Sequence, residues 1–387
     1  MQGFFNKGLR LSPDEELILR TVEELCRKEI ALRAAEVDRE ERFPWENVEK
    51  INELGLNGLF IPEEYGGSPV SRLAWLMILK EISKACPSTG VIFATTSHCA
   101  HPITAYGTHE QKQKFLAPIL GGALGAISIT ESNAGSDARA IRTVAQQTKD
   151  GYLLNGSKTF VTTGDKADIF TLFAQVKIGG EMVGLSPFVV TKDLKGFSVG
   201  KVEQKMGIRA SSTAEIVLED CLVPAENLLG QPGQGLRILL SALNTSRPNI
   251  AAQAVGLAEA AFETAAAYAN QRFQFGKPII EHQGVTFMIA EMATKVQAAW
   301  QLVQHVARLM DQGVKDFSAE ASMAKLFASE VAERVASDAL QIHGGYGYCR
   351  EYPLERMFRD SKITQIYEGT SQIQKIVIGR HFMTAKR

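Results

Sequence analysis

The chain has 387 residues, 45% hydrophobic and 22% charged, and its 42 basic residues nearly balance 43 acidic ones for a formal net charge of −1. That balance gives no support for a phosphate-binding nucleic-acid protein, and the length points to two or three domains. Met1–Arg10 lacks an apolar core, no run of about 20 apolar residues occurs, and the five cysteines are scattered with no Cys-x-x-Cys pair; no signal peptide, membrane span, disulfide framework or metal site is expected, and a reducing cytoplasm fits best.

Ser12-Pro13-Asp14-Glu15 reads as a capping box with proline at the first helical position. Leu17, Ile18, Val22 and Leu25 recur behind it at helical spacing, and Phe43-Pro44 ends the pattern. Further helices are predicted over Trp45–Leu54, Ser71–Ala85 and, after a break at Cys86–Gly90, Val91–Tyr106. A short one starts at Glu110 and ends at Pro118. In Val91–Tyr106, Thr95, Thr96, Ser97, His98 and His101 put polar groups on an apolar helix, where they either satisfy one another or line a cavity.

The pattern changes near Gly121. Eight short segments rich in β-branched and aromatic residues lie between Ala126 and Leu218, with Asp150-Gly151 and Asn155-Gly156 as hairpin signals. From Gly235 the pattern is helical again: Gly235–Gln271, with Pro248 as a place for a kink or break, then Glu281–Gln312, Ser318–Ile342 and Lys362–Lys386, a bundle of four. The chain thus reads as multi-domain α+β, with an all-α domain over 1–120, a β domain over 121–233 and a helical bundle over 234–387.

Ile363–Gln374 opens the last predicted helix with one carboxylate, Glu368, among apolar and uncharged polar neighbours. Gly369 lets a backbone turn sharply or a ligand come close, and Thr370, Ser371 and Gln372 add hydroxyl and amide groups. A carboxylate in a dry pocket has a raised pKa and serves as a base near neutral pH. An acidic residue in the first turn of a helix is equally explained by the helix dipole.

Ile366-Tyr367-Glu368-Gly369-Thr370 closely resembles the catalytic segment of the acyl-CoA dehydrogenases, the flavoenzymes of fatty-acid β-oxidation. Three more segments resemble that family in the right order: Thr130-Glu131-Ser132-Asn133-Ala134-Gly135-Ser136-Asp137 its flavin loop, Arg272-Phe273-Gln274-Phe275-Gly276-Lys277-Pro278 its pyrophosphate grip, and Gln341-Ile342-His343-Gly344-Gly345-Tyr346-Gly347-Tyr348 its glycine turn. The likeness covers nearly the whole chain. It implies a helical N-domain, a β-barrel middle and a four-helix-bundle C-domain, with FAD as cofactor.

By position, the resemblance assigns Thr130, Phe160, Thr162, Arg272, Phe275, Gln341, Gly345, Thr370 and Gln372 to the flavin. It places Ser136 near the flavin and the pantetheine arm, and Asn244, Arg247, Tyr367 and Gly369 about the acyl-CoA. Ile92, Phe93 and Thr96 fall at or near the positions that set the depth of the acyl pocket, two of them bulky, which implies a short acyl group. Without the resemblance, Thr130 and Thr162 are as well explained by β-propensity and Arg272 by a surface ion pair. Phe160 stands where many members carry Trp, and Asn244 where relatives often have Asp. Ser246 occupies the position from which a few members supply the base, and serine cannot be one, which leaves Glu368.

Removing two hydrogens from an unactivated Cα–Cβ bond needs a base and a hydride acceptor, and no side chain accepts hydride. No Gly-x-Gly-x-x-Gly follows a strand, so a Rossmann nicotinamide site is not expected. The implied reaction is dehydrogenation of a short-chain acyl-CoA to the trans-2-enoyl-CoA: Glu368 takes the α-proton, flavin N5 takes the β-hydride, and electron-transfer flavoprotein reoxidises the cofactor. A homotetramer, as a dimer of dimers, is implied too. The alternatives are a same-fold enzyme for a cyclic or dicarboxylic acyl-CoA, or an acyl-CoA oxidase.

Overall fold

The computed structural model describes residues 4–383, with helices at both ends of the chain and strands in its middle. The N-terminal part holds α1 (Pro13–Leu25), α2 (Ala31–Arg39), α3 (Trp45–Glu53), α4 (Arg72–Ala85), α5 (Pro87–Tyr106) and α6 (His109–Leu120). The capping box forms, with Ser12 Oγ accepting the Glu15 N–H at 3.2 Å and Glu15 Oε2 the Ser12 N–H at 2.9 Å. The other Glu15 oxygen accepts the Ser71 N–H at 2.8 Å, tying the start of α1 to the start of α4.

α5 starts four residues before the expected Val91. Only Cys86 breaks the chain, with φ −155° and ψ 104°. A residue before proline favours that extended state, and Pro87 opens the next helix where its missing N–H is not needed. α6 likewise runs past the expected stop at Pro118 to Leu120.

The middle strands are β1 (Gly125–Ser128), β2 (Val144–Thr148), β3 (Gly151–Thr162), β4 (Ile169–Ile178), β5 (Glu181–Thr191), β6 (Phe197–Val202) and β7 (Thr213–Val223). They form one sheet in the order β1-β4-β2-β3-β7-β6, with β5 on β4. β1 and β2 both run parallel to β4, one beside each half of it. Asp150-Gly151 makes the expected hairpin between β2 and β3. Asn155-Gly156 does not; it is a bulge inside β3, a single strand where two were expected. Gly156 takes φ +145°, and a Cβ there would meet Thr143 Oγ1 at 2.7 Å. The Asn155 side chain exchanges two hydrogen bonds with Asp220, at 3.0 and 2.8 Å. Among the described residues no ladder joins β5 to β6. The sheet closes over its core through side chains, as where Phe197 of β6 meets Phe170 of β4 with 4.9 Å between ring centroids.

The C-terminal part holds α7 (Gly235–Gln271), a hairpin of β8 (Phe273–Gln274) and β9 (Lys277–Pro278), α8 (Gln283–Asp311), α9 (Ser318–His343), α10 (Leu354–Ile363) and α11 (Ser371–His381). Pro248 does not break α7. In the turn before it, the Thr245 hydroxyl donates to the carbonyls of Ser241 and Ala242 at 3.2 and 2.9 Å. The expected fourth helix, Lys362–Lys386, is corrected to two helices with Thr364–Thr370 between them; Lys386 lies outside the described residues.

α1, α4, α7, α8 and α9 bury Val22, Ile78, Val255, Trp300 and Val335 in one shared core. The two ends of the chain therefore fold as one helical body. α5 lies along the seam: Thr171 Oγ1 of β4 donates to its Cys99 carbonyl at 2.8 Å, while Gln253 Nε2 of α7 donates to its Pro87 carbonyl at 3.0 Å. No helix among the described residues is long and apolar enough to cross a membrane.

Candidate active site

The loop between α10 and α11 is held from several sides. Glu368 has φ +52° and Gly369 φ +92°. A Cβ at Gly369 would meet Gln374 Nε2 at 2.8 Å, so glycine is required twice over, by conformation and by space. Lys325 Nζ of α9 donates to the Gly369 carbonyl at 2.7 Å. Gln374 Nε2 donates to the carbonyls of Glu368 and Gly369 at 3.1 and 2.9 Å. Thr370 caps α11 by accepting the Ile373 N–H at 3.3 Å. Tyr367 donates its hydroxyl to Gln253 Oε1, and burial raises its pKa above the ordinary phenol value.

This frame aims the Glu368 carboxylate, 17% exposed, at α5 and α7. Oε2 accepts the Ser246 hydroxyl at 2.5 Å, and Oε1 lies 3.9 Å from His98 Nδ1. Arg247, only 3% exposed, donates through Nη1 to Asn244 Oδ1 at 2.9 Å, and its buried Nε has no partner. Because Arg247 only donates, this bond fixes which end of the Asn244 amide is oxygen and leaves its N–H groups for a ligand. Burial pulls Lys325 down to about 7, against the opposing charge of Glu368 and with a smaller push from Arg247.

Tyr367, Glu368, Gly369, Asn244 and Arg247 are thus brought together. The acyl-pocket positions are not. Ile92, Phe93 and Thr96 line a separate small cavity with Val48, Ile51 and Leu124, and Thr96 Oγ1 accepts the Gly125 N–H at 3.4 Å. They lie on the face of α5 turned toward α3 and the β domain. Phe93 packs on Trp75 with 4.8 Å between centroids. The residue of α5 that reaches Glu368 is His98.

The other assigned residues lie at the rims. Thr130 and Thr162 are half-buried, Ser136 is exposed, and the Thr159 N–H donates to the Thr130 carbonyl at 2.8 Å. The Thr159 hydroxyl is buried without a partner. Beside it Phe160 stands at φ +56° with its ring 66% exposed, displaced from the ladder by a register shift between Lys158 and Val161. Arg272 lies over the Tyr346 ring at 5.6 Å, next to Gly345 and the exposed Gln341. Phe275 tops the β8–β9 hairpin, 93% exposed. Thr370 and Gln372 flank the start of α11. The unpaired Thr159 hydroxyl and the exposed Phe160 ring fit a flavin ring, and the Arg272 guanidinium, stacked on Tyr346, fits a pyrophosphate.

Sequence reasoning missed Lys325, Asn249, Gln253 and Gln374. Lys325 had a signal: it is the one charge among Ala319, Ala321, Ser322, Ala324 and Ala328, a face that is buried throughout.

The chain matches family models over nearly its whole length: the acyl-CoA dehydrogenase N-terminal domain at residues 12–123, the middle domain at 126–221 and the C-terminal domain at 233–383. It is 47% identical to a short-chain-specific acyl-CoA dehydrogenase of Clostridium acetobutylicum, covering 95% of this chain and 97% of the relative. It is 46% identical to an acryloyl-CoA reductase (NADH) of Anaerotignum propionicum, covering 96% and 95%. It superposes with a TM-score of 0.94 and 44% identity on a chain from the solved structure of the electron transferring flavoprotein of Acidaminococcus fermentans, covering 97% and 99%. With three family models end to end and full-length relatives at this identity, the chain belongs to the acyl-CoA dehydrogenases, a family of FAD-dependent oxidoreductases.

Proposed function

We propose that this protein dehydrogenates a short-chain acyl-CoA, straight or branched, to the trans-2-enoyl-CoA, with Glu368 removing the α-proton. The observation that carries this reading is the Glu368 carboxylate itself: a partly exposed anion held at a left-handed backbone position among buried polar groups of α5, α7 and α9. The Ser246 hydroxyl donates to one oxygen of that carboxylate and holds it toward α7. The Glu368 N–H is the proposed donor to the thioester oxygen as charge develops there. Asn244 and Ser136 are the proposed contacts to the pantetheine arm.

When bound, FAD supplies the acceptor for the β-hydrogen as hydride. Thr130, Thr162 and Phe160 would hold its ring, and Arg272, Phe275, Gln341, Gly345, Thr370 and Gln372 its pyrophosphate and adenosine. An electron-transferring flavoprotein is the proposed oxidant, with the Acidaminococcus structure as support. The exposed hairpin supports a homotetramer in which one subunit's Arg272 reaches another's flavin. A second reading, the same chemistry run as enoyl-CoA reduction, is favoured by the likeness to the acryloyl-CoA reductase; net flux with acyl-CoA plus oxidised acceptor against enoyl-CoA plus reduced acceptor separates the two.

The test of the base is Glu368→Gln, which keeps shape and removes basicity. Folding and flavin content are expected to survive while flavin bleaching by butyryl-CoA slows roughly a thousandfold or more, the upper range for loss of a general base. Near-normal bleaching would remove Glu368 from the mechanism.

A further inference from the structure

A chain of four side chains runs from the N-terminal helices to the candidate base. Trp75 Nε1 of α4 donates to Asn249 Oδ1 of α7 at 2.9 Å. An indole nitrogen only donates, so this bond settles which end of the Asn249 amide is oxygen. The Asn249 NH2 then faces α5, where it lies 3.0 Å from His98 Nε2 and 3.4 Å from Ser97 Oγ. A ring nitrogen that accepts from an amide carries no proton in the neutral imidazole. The proton of His98 is therefore on Nδ1, the atom 3.9 Å from Glu368 Oε1.

The three residues behind Glu368 are buried, with Trp75, Asn249 and His98 2%, 6% and 6% exposed. Burial lowers the pKa of His98 and keeps the ring neutral, with Glu368 opposing the shift. His98 and Asn249 also line a cavity of about 40 Å³ together with Arg72, His101 and Thr245. At 3.9 Å the contact with Glu368 is not a hydrogen bond. It lies on the side opposite a Ser246 bond of 2.5 Å, so a carboxylate that leaves Ser246 has a fixed N–H donor on its other oxygen.

We propose that His98, held as the Nδ1–H tautomer by Asn249 and Trp75, is a positioning residue for Glu368: its N–H takes up one carboxylate oxygen and orients the other toward the substrate's α-proton. This rests on the reading of Glu368 as the base. No bond to His98 breaks, and its proton stays on Nδ1 throughout. The charged and titratable groups that face the pair are Arg72 from α4, His101 from α5, Arg247 from α7, Lys325 from α9 and Tyr367 beside Glu368.

The experiment has a readout without turnover and one with it. In flavin-loaded protein carrying ¹⁵N-labelled histidine, the ring signal that disappears in His98→Leu is assigned to His98. It is expected to show a protonated Nδ1 and a bare Nε2, and Asn249→Leu is expected to release that lock into a tautomer mixture. A protonated Nε2 in the parent protein overturns the proposal. In the pH profile of flavin bleaching by butyryl-CoA, His98→Leu is expected to move the apparent pKa of the base up by about one unit, because a donor to the charged form is lost. His98→Asn, whose amide nitrogen reaches the place of Nδ1, is expected to restore the parent profile. An unmoved profile in His98→Leu, or His98→Asn behaving like His98→Leu, overturns the positioning role. Glu368→Gln in parallel separates the two failures: bleaching that persists there defeats the base itself, whatever the tautomer.

Discussion

Glu368 and Phe275 share a backbone feature that few residues other than glycine adopt, a φ of +52°. They are held there in opposite ways. Around Glu368, Lys325, Gln374 and Ser246 supply hydrogen bonds from two helices besides the one the loop leads into. Around Phe275 the local support is the two-residue turn with Gly276, whose φ is +80°, and an edge contact with the His282 ring at 5.8 Å; Phe275 is 93% exposed. Positive φ at both central positions is the type I′ requirement, for which Asn-Gly is the preferred pair. Strained conformations persist where the surroundings over-determine them. At Glu368 those surroundings are hydrogen bonds from three helices; at Phe275 they are one edge contact with His282, which leaves most of the ring open.

The comparison breaks most sharply at Lys325. Its folded pKa of about 7 lies below the ordinary value of 10.5, so the unfolded chain binds the extra proton between those limits. The contribution to stability is full above pH 10.5, declines as pH falls, and is gone below about 7. In Lys325→Met it is absent at every pH. The difference in unfolding free energy between the two proteins is therefore expected to shift against the parent by on the order of 4 kcal/mol from pH 10.5 to pH 7. Denaturant unfolding at a series of pH values measures it, and a difference that does not vary with pH would show that Lys325 is charged in the fold throughout. The bond to the Gly369 carbonyl is lost as well, so bleaching is expected to slow even where folding is intact.

The hairpin gives the converse case. Phe275→Asn puts the preferred Asn-Gly pair into the turn, so the isolated hairpin gains while the exposed ring is lost. Any penalty must then arise where the ring meets something else. Subunit association and flavin retention are expected to weaken roughly thirtyfold, the scale for one aromatic anchor, with little change in the unfolding midpoint of the apoprotein. Light scattering and flavin release on dilution read this out. An association equal to the parent's would leave Phe275 without the role assigned to it.

The same contrast explains what the sequence made legible. The capping box at Ser12, the long α7 and the motif about Glu368 are local patterns, each read from neighbours in the chain. The bulge at Gly156 looked like a hairpin because its cause, Thr143, lies on another strand. The break after α10 was hidden because the bonds that hold it come from Lys325 and Gln374 and replace helical ones. His98 was left between a satisfied histidine and a cavity residue; only the amide orientation set by Trp75 gives its ring a direction. The tyrosine–glutamine pair, Tyr367 with Gln253, joins segments that no periodicity connects.

The smallest expected effect concerns acyl length, and here the two faces of α5 are the comparison. Ile92, Phe93 and Thr96 line the cavity toward α3 and β1, whereas His98 faces Glu368; Phe93 also packs on Trp75, whose indole fixes Asn249 and so His98. The His98 ring, 3.9 Å from the Glu368 carboxylate, limits the space beside the base, so kcat/KM is expected to be highest for acyl groups of about four to six carbons. Each methylene that fits gains only about 0.8 kcal/mol, and neighbouring lengths should then differ by roughly tenfold. Ile92→Val removes one methyl from the far face and costs about 1 kcal/mol of stability, yet the ranking of butyryl-, hexanoyl-, octanoyl- and palmitoyl-CoA is expected to stay as in the parent. Phe93→Leu frees Trp75 and is expected to raise octanoyl-CoA relative to butyryl-CoA. A parent maximum at palmitoyl-CoA would defeat the short pocket outright, and a ranking that moves with Ile92→Val but not with Phe93→Leu would put the acyl chain on the β-domain face of α5.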